Sequence, residues 1–409
     1  MSPTPPSSET PQPSLTPSRG ALAAAAVAVV VAAMLLRGPV TCIGPMAESI
    51  VKVFSITYPQ YGTLAALPIA AFGIFSFFAA ALGARLGVKR AVLVSLLIVF
   101  AGAAARLTSD WNLFLAASLA VGAGIALLNV ILPAAIKNWF GTHTASMMGL
   151  YTGVIGLSGA IGGLTSVPLV NLAGGIHGTL AAWAAAALAG ALAWAILAPA
   201  GAGRGRAEGR GCGAAKRTPF VRLLKSRTAT ALIFVMGLQS LLVYTVGAWL
   251  APFLSARGLS GEAAGFWFFV FLATGLPSSI LTPAFMRLVK SEALAALILG
   301  ALYLAGIGGW LLGGVWLLPA SVAAGASQGA MLSAAMLLMA RKSADSSEML
   351  AISALSQGLG YIGAGFGPLV FGIVLEKTAS WGLCFLLTAL AVAAWSAAGV
   401  VASRSSRLL

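Results

Sequence analysis

The sequence predicts an all-α membrane protein of twelve transmembrane helices arranged as two six-helix halves. Three observations predict it: too few charges to cover a water-facing surface, apolar stretches of membrane-spanning length, and basic residues gathered on alternate loops. Of 409 residues, 59% are apolar and only 8% charged, with 49 glycines and a mean hydropathy of +0.98. A soluble domain carries roughly a quarter charged residues. The formal charge of +15 would suggest nucleic acid in a soluble chain, but these charges are too sparse for a basic groove, and no nucleic-acid partner is expected.

A helix of about 20 apolar residues crosses a ~30 Å hydrocarbon core. That rule places spans at 21–46, 60–83, 90–108, 112–136, 144–170, 178–199, 229–254, 262–285, 293–312, 316–340, 348–373 and 380–402. They organise the chain into a disordered cytoplasmic tail (1–19), an N-terminal half (20–199), a basic cytoplasmic linker (200–228), a C-terminal half (229–402) and a short cytoplasmic tail (403–409). The first nineteen residues hold six prolines and many Ser and Thr, the composition of a segment that cannot build a core.

The first span begins like a signal peptide, with Ala21–Leu36 behind Arg19, but its apolar character continues past Arg37 to Met46, too long for such a leader. Arg37 lies about 17 residues beyond Gly20, or ~25 Å along a helix, near the membrane centre. A charge at that depth costs at least about 2.5–3.5 kcal/mol and must face a cavity or a partner. The nine acids sit elsewhere: Glu9, Glu208, Glu292, Asp345 and Glu348 toward one side, and Glu48, Asp110, Glu262 and Glu376 toward the other. Arg37 therefore reads as an unpaired cation that attracts an anion or a strongly polar solute. The competing reading is that it bonds backbone carbonyls near Pro39.

Between the second and third spans runs Gly83–Arg90, basic but without an acid. The fourth span carries Asn129. The fifth is dense in glycine, from Gly149 to Gly163, at spacings that let helices approach closely. The sixth, Ala181–Leu197, is nearly all Ala, Leu and Trp, as a lipid-facing scaffold should be. The seventh holds Gln239 and Tyr244, and the tenth Gln328. Only Gly313–Gly314 separate the ninth from the tenth. The eleventh carries Gln357 and Tyr361 and a second glycine run.

Loop cations set orientation, because Lys and Arg near span ends stay in the cytoplasm. One side gathers nineteen: Arg19; Arg85, Lys89, Arg90; Lys137; Arg204, Arg206, Arg210, Lys216, Arg217, Arg222, Lys225, Arg227; Arg287, Lys290; Arg341, Lys342; Arg404 and Arg407. The other holds four: Lys52, Arg106, Arg257 and Lys377. Arg37 is the one cation this asymmetry leaves over. The halves also repeat at an offset near 200, with Gly73…Arg85 answered by Gly275…Arg287, and Gly163…Pro168 by Gly363…Pro368.

Cys42, Cys212 and Cys384 have no CxxC or His companion, so neither a disulfide framework nor a zinc site is expected. His143 and His177 lie near span ends, where a lone histidine is usually solvated. No phosphate loop or nucleophile–base pair is present, and neither enzyme activity nor a cofactor is expected.

At these residues the sequence resembles the cyanate / 2-nitroimidazole transporter family of the major facilitator superfamily. The family's first helix reads R-P-x-x-T-x-x-G-P, matched by Arg37, Thr41, Gly44 and Pro45, with Gly38 in place of the proline. The fourth helix is similar through Gly124, Ala126, Asn129, Val130, Leu132, Pro133 and Lys137. Further likeness runs through Gly149–Thr152, Gly237–Ser240, Tyr244, Trp249, Gln357, Gly360 and Tyr361. The resemblance implies an alternating-access carrier of a small anionic or polar nitrogenous solute in the bacterial inner membrane, acting as a monomer among lipid. It implies a cavity lined by spans one, four, seven and ten. Arg37, Thr41, Asn129, Gln239, Tyr244, Gln357 and Tyr361 are the expected substrate-binding residues. A drug-efflux carrier, or a sensor that no longer transports, are the alternative readings.

Overall fold

The computed structural model describes residues 19–199, 224–344 and 346–404, and among them the chain is helical with no strand. Most of the 200–228 linker, the first tail and residues 405–409 lie outside the described residues. Twelve stretches are long and apolar enough to cross a membrane. After a broken first span, the helices are Tyr58–Leu86, Val88–Ala105, Trp111–Phe140, Thr144–Ala173, Ile176–Leu197, Arg227–Ala256, Gly261–Val289, Glu292–Leu312, Leu317–Lys342, Ser346–Thr378 and Trp381–Arg404.

Side-chain caps stand at several predicted edges. Asp110 accepts from the Leu113 N–H at 2.7 Å, and Ser260 and Ser291 accept from the N–H three residues on. Each satisfies a donor that a helix start leaves orphaned. Thr57 and Gln60 close a capping box at the start of the second span. Gly313 and Gly314 both adopt positive φ, the conformation glycine enters without strain, so two residues suffice to turn the chain between spans nine and ten.

Packing repeats between the halves. The first span lies on the sixth, the second on the fourth, and the third on the fourth and sixth; the seventh lies on the twelfth, the eighth on the tenth, and the ninth on the tenth and twelfth. Buried tryptophans tie these pairs. Trp194 donates to the Lys89 carbonyl, Trp310 to Ser321 Oγ and Trp395 to the Val235 carbonyl, each at 3.0 Å, so a large apolar ring is buried with its one polar group satisfied. The halves meet along two seams: the second span against the eleventh, and the fifth against the eighth.

The first span departs from the sequence expectation of one helix over 21–46. It runs as Arg19–Ala33, unwinds, resumes for one turn at Gly38–Thr41 and unwinds again before Ala47. Pro39 and Pro45 favour the breaks, since proline has no N–H and clashes with the carbonyl four residues back; Pro68, Pro133 and Pro168 sit inside unbroken helices, so contacts from other spans complete the effect. Broken backbone inside a membrane survives only where protein supplies its hydrogen bonds or a cavity adjoins it. Ser158 of the fifth span does so here. Its hydroxyl accepts from the Gly38 N–H at 2.9 Å and donates to the Met34 carbonyl.

A second correction concerns Arg106, which sequence placed among the exposed loop cations. It is 2% exposed. From the end of the third span its Nη1 donates to the Pro39 carbonyl at 2.6 Å and its Nε to Ser118 Oγ at 3.0 Å. Arg106 is thus a second cation drawn into the protein interior. It takes the Pro39 carbonyl, one of those that the competing reading assigned to Arg37.

On the face opposite Arg19 and Arg404 the halves are sealed. A Cβ on Gly44 would overlap the Gly247 carbonyl, and one on Gly62 would come within 2.6 Å of the Pro368 carbonyl oxygen. The Tyr61 hydroxyl donates across the seam to the Ala248 carbonyl at 3.1 Å, and Asn171 Nδ2 donates to Glu262 at 2.9 Å. Toward the terminal face the fifth and eighth spans part. A Cβ on Gly153 would still meet Leu276 at 3.8 Å, but one on Gly149 would meet nothing within 4 Å.

Candidate functional site

Between the halves lies a cavity of about 700 Å³. Its walls come from spans one, two and five on one side and seven, eight and ten on the other. Sequence expected the first, fourth, seventh and tenth. The second and fifth spans displace the fourth because they form the inter-half seams, while the fourth packs behind the second and third.

Arg37 enters this cavity from the unwound turn of the first span. Its guanidinium stands 5.2 Å from the centroid of the Tyr244 ring, a cation–π distance. No carboxylate lies on the cavity wall among the described residues, and no ion pair to Arg37 occurs among them. The backbone hydrogen bonds of the break are held by Ser158 and Arg106, which leaves Arg37's donors to the cavity. Gly38 fits this arrangement because the Trp183 ring lies where a Cβ would be.

The other expected residues divide into two groups. Thr41, Gln239 and Tyr244 line the cavity with Arg37. The Thr41 hydroxyl is already engaged: its single proton lies between the carbonyls of Gly159 at 2.9 Å and Arg37 at 3.1 Å. Gln239 and the wall residue Gln328 bridge the seventh and tenth spans, Gln328 Nε2 donating to the Gln239 carbonyl at 3.2 Å. The Tyr244 hydroxyl and Gln328 Oε1 are buried without a hydrogen-bond partner, unspent capacity that a buried polar group rarely leaves.

Asn129, Gln357 and Tyr361 are off the wall. Asn129 rides on the displaced fourth span. Gln357 donates to Ser353 Oγ at 3.0 Å on its own helix. The Tyr361 ring stands edge-on to Phe72 and to Tyr244. Conversely, Ser279 and Ser333 line the cavity without having been singled out, and Thr152, named only within the Gly149–Thr152 likeness, lines it too. Ser158, which holds the broken turn, was not singled out.

The comparisons with known proteins agree with this architecture. A family model of the Major Facilitator Superfamily matches residues 29–362. The chain belongs to that superfamily. Across 92% of its length it is 31% identical to 92% of an uncharacterized transporter, YycB, of Bacillus subtilis (strain 168). It is 26% identical over 93% of its length to 95% of the 2-nitroimidazole transporter of Escherichia coli (strain K12), and 27% over 87% to 91% of that organism's cyanate transport protein CynX. Among solved structures, the nucleoside transporter NupG superposes with a TM-score of 0.75 at 13% identity, covering 94% of this chain and 99% of that one. As a major facilitator superfamily member the protein is a multi-pass membrane transporter, not an enzyme. Its broken first span at the inter-half cavity is the kind of discontinuous helix that builds midplane solute sites.

Proposed function

We propose that the protein is a secondary active carrier that moves a small anionic or polar nitrogenous solute, of the cyanate-like or nitroimidazole-like class, by alternating access. The observation that carries the reading is the Arg37 guanidinium in an inter-half cavity with no carboxylate on its wall. In a water-poor cavity an uncompensated cation favours an anion or a strongly dipolar acceptor. It disfavours the cationic compounds that an efflux carrier for basic drugs would handle. Tyr244, Gln239 and Gln328 orient the solute, Thr41 holds the broken turn, and Tyr361 positions Tyr244. Asn129 and Gln357 contribute through helix packing. The relatives named as transporters of 2-nitroimidazole and of cyanate are consistent with this class. The carrier resides as a monomer in the bacterial inner membrane with both ends cytoplasmic, the side to which the basic loops point.

Uptake of labelled solute into proteoliposomes tests the assignment. A charged hydrogen bond contributes about 1.5–3 kcal/mol, so Arg37→Ala lowers apparent affinity roughly 10- to 100-fold. Arg37→Lys recovers part of it. Wild-type transport in both variants overturns the assignment.

A further inference from the structure

The shape of the cavity narrows the solute further, on the reading that Arg37 takes its negative end. Polar groups gather at one level: Arg37 beside the Tyr244 ring, with the Gln239–Gln328 bridge next to it. From that level toward the terminal face the wall is mainly apolar, through Ile155, Leu276, Leu332 and Met336, with the hydroxyls of Thr152, Ser279 and Ser333 spaced among them. Gln328 to Met336 spans about 12 Å along the tenth helix, at 1.5 Å per residue. The cavity thus has one cationic level and, toward the terminal face, an apolar flank long enough for a ring or a short branched chain.

Volume decides between head and body. A cavity of about 700 Å³ is of the size that encloses an organic molecule, within the ~300–1,000 Å³ of ordinary ligand sites. A triatomic anion needs on the order of 50 Å³, judged from ~30 Å³ per water molecule. It would remain largely hydrated beside Arg37, leaving the Leu276 and Leu332 side chains wet.

We infer that the preferred substrate is an amphipathic organic monoanion, one anionic head on an apolar body of ring size, and not a triatomic inorganic anion. The head meets Arg37 where it stands over the Tyr244 ring; the body covers Leu276 and Leu332 and expels the water there. Burial of each methylene adds about fourfold in affinity, so the preference grows with the body.

Isothermal titration of the purified full-length protein with cyanate, acetate, hexanoate and benzoate tests this, with benzyl alcohol as the uncharged match for benzoate. Hexanoate and benzoate are expected to bind at least about tenfold tighter than acetate and cyanate, the worth of two buried methylenes. Leu276→Ser and Leu332→Ser compress that ratio while leaving acetate unchanged. Arg37→Gln removes the preference of benzoate over benzyl alcohol. If cyanate or acetate binds as tightly as benzoate, or none of the acids binds at millimolar concentration, the amphipathic class is wrong. If benzoate binds Arg37→Gln as it binds the native protein, the role of Arg37 falls instead. Thermal unfolding of each variant separates lost binding from lost fold.

Discussion

Two arginines beside the broken first span divide one task between them. Arg106 spends its donors inside the protein, on the Pro39 carbonyl and Ser118, and Arg37 faces the cavity. Removing a buried charged donor leaves a carbonyl unsatisfied at about 1.5–3 kcal/mol. Arg106→Gln is therefore expected to lower thermal stability and to weaken solute binding together, because the turn that carries Arg37 loses its anchor. Arg37→Gln is expected to lower binding with little change in melting temperature. Ser158→Ala, which takes both a donor and an acceptor from the same turn, should fall on the Arg106 side of that division. A melting temperature unchanged by Arg106→Gln would remove the anchoring role. Arg37 was legible in the sequence because a lone arginine in an apolar run is costly. Arg106 was not, since at the edge of a span the same residue type reads as a loop cation, and only folding back under Pro39 distinguishes it.

At the level of helices, the seal on the face opposite the termini is built by backbone meeting backbone. Gly44 lies against Gly247 and Gly62 against Pro368, with no room for a side chain. Alanine at either position holds the spans apart there and shifts the carrier toward the state open on that face. Modification of an introduced Val40→Cys by a membrane-impermeant thiol reagent, applied from that face, is expected to speed up in Gly44→Ala and Gly62→Ala. In Gly149→Ala, where a Cβ meets nothing within 4 Å, it should stay at the parental rate. Equal rates in all three would show that the seal does not depend on these approaches. Sequence spacing marked the glycine-rich fifth and eleventh spans as close-packing surfaces. It did not show that Gly163 meets Phe268 while Gly363, its counterpart in the repeat, meets nothing within 4 Å. The offset equates positions along the chain, whereas the two halves turn different faces toward each other.

For the whole molecule, the charge pattern makes the next expectation. Among the described residues, Arg85, Lys89, Arg90, Lys137, Arg287, Lys290, Arg341 and Arg404 all fall at helix ends on the terminal face. By the preference of basic loops for the cytoplasm, alkaline phosphatase fused after Leu409 is expected to be inactive and a fluorescent protein at the same point to fold and emit. The reverse result would invert the orientation. His143 and His177 are both exposed and stand at opposite ends of the bundle, away from the cavity wall. Their glutamine variants are expected to keep transport within about twofold of the parent between pH 6 and 8, since neither side chain lines the cavity. A larger loss in either would place that histidine in the cycle.

The sequence by itself determined the class, the number of spans and most of their limits to within a few residues. Those follow from local quantities: apolar length against bilayer thickness, capping residues at helix starts, and cations at helix ends. It also singled out Arg37, because burial of a charge is costly enough to be noticed without coordinates. Only the tertiary structure decided which helices wall the cavity, that the first span is broken there, and that Asn129 and Gln357 look elsewhere. A polar residue halfway along an apolar helix faces a cavity, a neighbour or another residue of its own helix at similar cost. Which of these it meets depends on how the helix is rotated about its axis, and that is set by packing against residues distant in the chain.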